Sequence, residues 1–411
     1  MGDKLNILVV ADVDPTDVIG GAERMLAGQL RELAGRGHRI NVLTRMQPGK
    51  AESETSSDGY RLSRYSMPAG MGLSDLIRAI KLIRRETDLA ILREAPDIVY
   101  VQQPLSGAGA LLSNHGRRLP AAYMYLSPWS DEYRVRLPRA ASLPTNPEAL
   151  ALTSAEKVRL NLRKVIEGWT LRRVQRILIM SDFMQSRCIA LHGLNQSHFR
   201  MVPGGVDTEH FKPTNDQLAV RKRLGLEPDA RVLLTVRNLH PRMGVGNLIA
   251  AMPQLLKNHP ESVCIIGGTG AMAGELKAQA ANLKLNSSVR FDGFIPESSL
   301  PDYYAASDTF ILPTAALEGF GMVTVEALAC GTPVLGTPVG ATPEVLGGLD
   351  RDLILPGVEP ADIANGCDRL FKRLENESVS IRSRCRAYAV ENYSWQMVTN
   401  RIEQSLQEIV R

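Results

Sequence analysis

Short continuous apolar runs alternate with longer stretches of helical spacing from one end of the chain to the other. The first run, Ile7-Leu8-Val9-Val10, lies in an expected strand over 6–12. Unbroken runs of this kind suit strands buried on both faces of a parallel sheet. After Gly20-Gly21 the apolar positions take helical spacing to residue 36, Gly37-His38 ends that helix, and 39–44 reads as a second strand. Residues 46–59, polar and rich in Ser and Glu, read as a mobile surface loop. A helix over 74–93, strands over 97–102 and 119–126, a long loop over 127–147 with four prolines, a basic helix over 154–176, a strand over 176–180 and a helix over 182–191 complete the front half.

A second alternating series follows the segment 201–213, where Pro203-Gly204-Gly205 and Pro213 mark a linker. Strands are expected over 231–236, 262–266, 288–291, 308–312 and 333–336. Helices are expected over 246–258, 271–283 and 299–306, with a last one over 397–411. Strand–helix alternation on both sides of a linker predicts an α/β protein of two Rossmann-like doubly wound domains, 1–205 and 206–396, with the last helix folding back. Such sheets bind ligands beyond their strand carboxyl ends, so the expected site is an interdomain cleft.

The 411-residue length agrees with two cores, and 44% hydrophobic with 22% charged residues is a soluble globular composition. No apolar run approaches the roughly 18–20 residues that span a bilayer. The opening apolar run is read as a strand and not a signal peptide. Cys188, Cys264, Cys330, Cys367 and Cys385 form no Cys-x-x-Cys pair, which suggests reduced core thiols in a cytoplasmic protein. Residues 1–205 carry 28 Lys and Arg against 20 Asp and Glu, a net +8, while the rest nets −4. The front half is therefore the side expected to meet an anionic partner. The seven histidines show no metal-ligand spacing.

The densest candidate chemistry is at 318–326, where Glu318 and Glu326 bracket Gly319-Phe320-Gly321-Met322-Val323. The residues after the loop form a helix closed by Gly331 and Pro333. Glu318 is then in a loop, Glu326 in the early helix, and a helix N-terminus between them offers N–H groups to an anion. Carboxylates for hydroxyls beside a phosphate cradle suit a nucleotide sugar.

This pattern resembles the Glu-x7-Glu motif of the retaining family 4 glycosyltransferases, which have the GT-B fold. The likeness extends to Gly20-Gly21-Ala22-Glu23, to Val202-Pro203-Gly204-Gly205-Val206-Asp207, to Gly331-Thr332-Pro333-Val334 and to Gly340-x-x-Pro343-Glu344-Val345. It implies that Glu326 receives the ribose hydroxyls and Glu318 approaches the donor sugar. The N–H groups of Gly319, Phe320, Gly321, Met322 and Val323 would hold the diphosphate, with Gly20 and Gly21 adding theirs. The family's usual Arg and Lys positions are Asn238 and Met243 here, and Arg237 and Arg242 each stand one residue earlier. One of these two arginines is expected to stabilise the departing diphosphate. The family generally needs no metal or other cofactor. Where it often places a histidine near the sugar, this chain has Gln102-Gln103 and Leu126-Ser127, so Asp131 or Glu132 becomes the expected acceptor contact.

Residues 155–176 intersperse Lys157, Arg159, Arg163, Lys164, Arg172, Arg173 and Arg176 with aliphatic residues and Trp169. That is the composition of a helix lying on an anionic membrane surface, and equally of a core helix with a basic outer face. A lipid-linked acceptor, as in exopolysaccharide or lipopolysaccharide assembly on the cytoplasmic face, would account for it; nucleic acid is not expected. Two rivals are a soluble transferase acting on small molecules and a non-catalytic nucleotide-sugar-binding protein. Gly267-Gly268-Thr269-Gly270 follows a strand but lacks the spacing of a dinucleotide fingerprint, which disfavours a nicotinamide oxidoreductase.

Overall fold

A computed structural model describes residues 4–17, 20–67, 73–137 and 147–411. The chain divides into two compact units. The first comprises Met1–Tyr133, Leu152–Gly204 and Trp395–Arg411, and the second Arg134–Ala151 and Gly205–Ser394. The segment Arg134–Ala151, expected within the first domain, thus groups with the second. The part of the 127–147 loop between 138 and 146, including Arg139, lies outside the described residues.

The first unit is built on an eight-stranded sheet of order β3-β4-β2-β1-β5-β6-β7-β8. Its elements in chain order are β1 (Asn6–Val10), α1 (Gly21–Gly35), β2 (Arg39–Arg45), β3 (Ser53–Thr55), β4 (Arg61–Tyr65), α2 (Leu73–Glu94), β5 (Ile98–Val101), α3 (Pro104–Leu112), β6 (Ala121–Tyr125), α4 (Trp129–Val135), α5 (Ser154–Leu171), β7 (Arg176–Ile179), α6 (Asp182–His192) and β8 (Phe199–Met201). Among the described residues only the β3–β4 pair of this sheet is antiparallel. β1 lies between β2 and β5, with Val9 opposite both Val42 and Tyr100. All three are buried, and a fully buried aliphatic side chain contributes about 1.5–3 kcal/mol.

Three expectations need correction. The loop 46–59 contains β3, because Arg64 of β4 reaches Asp14 Oδ2 at 2.5 Å and Glu54 Oε1 at 2.5 Å from a fully buried position. That paired guanidinium fixes a segment whose polarity alone read as mobile. α3 was not foreseen, since Pro104-Leu105-Ser106-Gly107-Ala108-Gly109 has poor helix propensity. Its glycines are there for packing: a Cβ on Gly107 would lie 2.5 Å from a Val101 methyl, and one on Gly109 2.4 Å from an Ile83 methyl. The loop after 127 also contains α4.

The second unit has a five-stranded, wholly parallel sheet of order β11-β10-β9-β12-β13. Its elements are α7 (Gln217–Arg223), β9 (Arg231–Val236), α8 (Val245–Asn258), β10 (Ser262–Gly267), α9 (Ala273–Asn282), β11 (Val289–Gly293), α10 (Leu300–Ala306), β12 (Thr309–Leu312), α11 (Met322–Ala329), β13 (Val334–Gly336), α12 (Thr342–Gly347) and α13 (Pro360–Tyr393). The 34-residue α13 has no counterpart in the expected elements. Its buried positions Ile363, Cys367, Leu370, Leu374, Ile381 and Cys385 recur at three- and four-residue steps among many charged residues. That spacing was the available signal. Arg386 of this helix donates to the carbonyls of Thr208, Phe211 and Ala329, which ties the start of the unit to the end of α11.

All five cysteines are free and buried, and burial pushes the thiols of Cys188, Cys264 and Cys385 up to about 12. No helix among the described residues is long and apolar enough to cross a membrane.

The last helix, α14 (Trp395–Val410), belongs to the first unit, where Trp395 packs on α1 over Gly28. A Cβ on Gly28 would fall 2.0 Å from Trp395 Cζ2. Gly28→Ala should therefore lose about 1–3 kcal/mol of stability through overpacking. Urea titration followed by tryptophan fluorescence measures it, and an unchanged midpoint would show that α14 does not seat on this glycine.

Candidate functional site

The site residues of the second unit come together because β9 and β12 are adjacent parallel strands. Their carboxyl ends share one edge of the sheet. Arg237 is the first residue beyond β9, and Thr314 and Glu318 follow β12. Residues 81 positions apart therefore meet, with Arg237 Nη2 donating to Glu318 Oε2 at 2.6 Å. The Thr314 hydroxyl accepts from the same nitrogen at 3.1 Å and donates to the same oxygen at 2.8 Å. Both charged side chains are about nine-tenths buried. Burial alone would push the Glu318 carboxyl up, but Arg237 and then Arg242 outweigh it and hold the group below its ordinary range.

Glycine makes this convergence possible. After Arg237 the chain turns through a single helical turn at Pro241–Met243 and closes on Gly244, which has φ 69°. A Cβ there would lie 1.8 Å from the Pro313 carbonyl oxygen, so no other residue lets this turn rest on the end of β12. The contact is secured by Ala315 N–H donating to the Arg242 carbonyl at 2.8 Å. Arg242 Nη1 in turn donates to the Leu317 carbonyl at 2.8 Å. Leu317 has φ 57°, a left-handed conformation that a leucine adopts only when its surroundings hold it there.

The Gly267–Gly270 cluster supports the other side of the same strand end. Arg237 N–H donates to the Gly267 carbonyl at 3.0 Å and Leu239 N–H to the Thr269 carbonyl at 2.8 Å. A Cβ on Gly268 would sit 1.8 Å from the Arg237 carbonyl oxygen. These glycines position Arg237, a task that their sequence spacing did not disclose.

Glu318 leads into α11 through Gly319, Phe320 and Gly321, the last an N-cap with φ 83°. The first N–H groups of a helix have no intrahelical acceptor, so those of Met322 and Val323 are available to an anion. Phe320 is buried edge-on against Tyr393 at 5.5 Å between ring centroids, which anchors the loop to α13. One turn into α11, Glu326 is 1% exposed and its Oε2 accepts from the Tyr304 hydroxyl at 2.8 Å. Asn238 is exposed, whereas Met243 lies against Arg237 with its sulfur 2.8 Å from Nη2.

Within the first unit, Gly20 caps α1 in extended conformation and Gly21 opens it. Asp131 of α4 is 8% exposed, and its Oδ2 accepts from Arg187 Nε of α6 at 2.6 Å. That pair fastens α4 to α6. Glu132 beside it is half-buried. Glu167 of α5 is fully buried, accepting from Trp129 N–H at 3.0 Å and lying 3.0 Å from His192 Nε2. Among the described residues no group of His, Cys, Asp or Glu is arranged to hold a metal ion.

Two doubly wound units, one carrying carboxylates, guanidinium groups and a helix N-terminus at its sheet edge, define an α/β protein with its charged groups where such sheets commonly bind ligands. Residues 19–210 match the model of "Glycosyltransferase Family 4", and residues 216–406 that of "Glycosyl transferases group 1". The chain belongs to these family 4 glycosyltransferases of the GT-B fold. It is 28% identical over 250 residues to a D-inositol 3-phosphate glycosyltransferase of Streptomyces bingchenggensis, covering 59% of this chain and 55% of that one. With the enzyme of the same name from Geodermatophilus obscurus it shares 26% over 399 residues, covering 90% and 82%. The chain thus spans about half the length of the first relative. The solved sucrose-phosphate synthase of Thermosynechococcus elongatus shares the fold, with a TM-score of 0.82 over 98% of this chain and 99% of that one at 20% identity.

Because its folded pKa is depressed, the Glu318 carboxylate adds stability that is present above its ordinary value of 4.5. That stability is lost as the pH falls through the folded value. Glu318→Gln should therefore flatten the loss of stability below pH 4.5, measured by urea titration across acid pH. An unchanged slope would mean that Arg237 does not hold the carboxylate charged.

Proposed function

We propose that this protein is a retaining glycosyltransferase that moves a sugar from a nucleoside-diphosphate sugar to a hydroxyl acceptor. The observation that carries this reading is the series Glu318, helix N-terminus and Glu326 along one loop and helix, with Arg237 on its first carboxylate and Arg242 on the adjoining Leu317 carbonyl. In this reading Glu326 binds the ribose hydroxyls, Glu318 a sugar hydroxyl, and the N–H groups from Gly319 to Val323 the diphosphate. The bond from the anomeric carbon to the phosphate oxygen breaks, and its electron pair leaves with the diphosphate. The acceptor oxygen bonds to that carbon from the same face, and its proton passes to the departing phosphate. Negative charge grows on the leaving group, so a fixed cation and fixed N–H dipoles lower the barrier, with positioning supplying much of the rest.

A screen of UDP-, GDP- and ADP-sugars by thermal shift tests the donor. At a hundred times its dissociation constant a ligand of the folded state stabilises by about 2.7 kcal/mol. Arg242→Ala should lower turnover of that donor by about 10²–10³, and wild-type turnover in the variant would remove Arg242 from the reaction. If a bound nucleotide sugar undergoes neither transfer nor slow hydrolysis, the protein is a binding protein.

The acceptor in this reading is a lipid-linked or cell-surface glycan precursor, met at the inner face of a membrane. Lys157, Val158, Arg159 and Val165 of α5 are exposed and fit an anionic lipid surface. Arg163 is instead stacked over Trp129 and Tyr133, and Arg173 over Trp169, so these aromatics are already in use. Flotation with anionic liposomes should carry the protein upward at low salt and release it at high salt. If it stays at the bottom at low salt, the alternative is a soluble transferase with a small-molecule acceptor. The likeness to inositol phosphate and sucrose phosphate enzymes supports that alternative.

A further inference from the structure

We infer that Arg237 is a positioning residue for Glu318, and that the diphosphate is held without it. The inference rests on the donor-site reading above and divides the work of its two arginines. The Arg237 main chain is fixed by the glycine cluster, with its N–H on the Gly267 carbonyl and no room for a side chain at Gly268. From that fixed origin the guanidinium reaches inward, with a side chain 8% exposed, and meets Glu318 Oε2 at 2.6 Å. Thr314 closes a three-membered ring by accepting from Arg237 and donating to the same Oε2. Two donors on Oε2 fix the carboxylate plane and leave Oε1 as the oxygen able to accept from a sugar hydroxyl. Arg237 Nε is buried with no hydrogen-bond partner. That geometry serves the carboxylate and is not a fork aimed at a phosphate, which would use parallel N–H bonds.

Charge balance points the same way for Arg237. A guanidinium and a carboxylate at this separation cancel one another as seen from a few ångströms away. The pair therefore adds little net attraction for a diphosphate. Met243 adds no charge of its own and packs its sulfur against the ion pair.

The test separates binding from turnover. UDP, GDP and ADP are titrated by calorimetry into the wild type, Arg237→Lys, Arg237→Gln and Arg242→Gln. Transfer or hydrolysis of the matching nucleotide sugar is then followed across pH. Arg237→Gln should keep the affinity for the diphosphate within about threefold while kcat falls by about a hundredfold. The acidic limb of its kcat/KM profile should move to higher pH, because Glu318 has lost the cation that holds it ionised. Arg237→Lys should restore part of the rate and most of the limb, which a merely structural loss would not allow. Arg242→Gln should instead weaken the diphosphate itself. The assignment is overturned if Arg237→Gln loses the diphosphate as Arg242→Gln does, or if its pH limb stays where the wild type has it. If the wild type binds none of the three diphosphates, the nucleotide-sugar reading itself fails, and this assignment falls with it.

Discussion

The buried ion pair between Arg237 and Glu318 is the constraint around which the second unit is arranged. A charge of either sign at this depth is unfavourable unless its partner is in place, so each side chain depends on the other. They meet only if β9 and β12 end side by side and the loops beyond them touch. That requirement explains the glycines at 244 and 268, where backbone approaches closer than any Cβ permits, and the left-handed Leu317 that precedes Glu318. The carbonyl of Glu318 is held in the same manner, by Ala341 N–H at 2.9 Å beside a Gly340 that has no space for a side chain.

The first unit solves a similar problem with different groups. Arg64 satisfies Asp14 and Glu54 together, Glu94 gathers Arg39, Arg61 and Arg93, and Glu167 lies between Trp129 N–H and His192. These buried carboxylates and their partners fasten loops and helices to the sheet. A basic front half was read as a sign of an anionic partner, yet several of its arginines are engaged in holding the fold. Exposed arginines such as Arg117, Arg118 and Arg159 are placed to act outward.

Much of the architecture was legible because burial imposes periodicity. The strand over 231–236 appears with the bounds expected of it, and the run at Ile7–Val10 lies within β1. Elements escaped notice where packing, and not propensity, stabilises them. α3 is rich in glycine because it lies close to β5 and α2, and α13 is masked by its charges although its apolar stripe is regular. The candidate site was legible as a spacing, two glutamates and a glycine loop. What the spacing lacked was the third dimension. It did not disclose that Arg237 pairs with Glu318, nor that Asp131 pairs with Arg187.

The sequence by itself determined the alternation of strands and helices, the break near Gly204-Gly205 and the presence of a carboxylate-flanked helix start. All of these follow from local rules, because periodicity, turn residues and helix caps act over a few neighbours. Only the tertiary structure decided which charges face each other. An ion pair 81 residues apart in the chain is set by strand order, and its burial is set by the loops that cover it. No local rule reaches that far, because the energy of a buried charge depends on what the fold brings within a few ångströms of it.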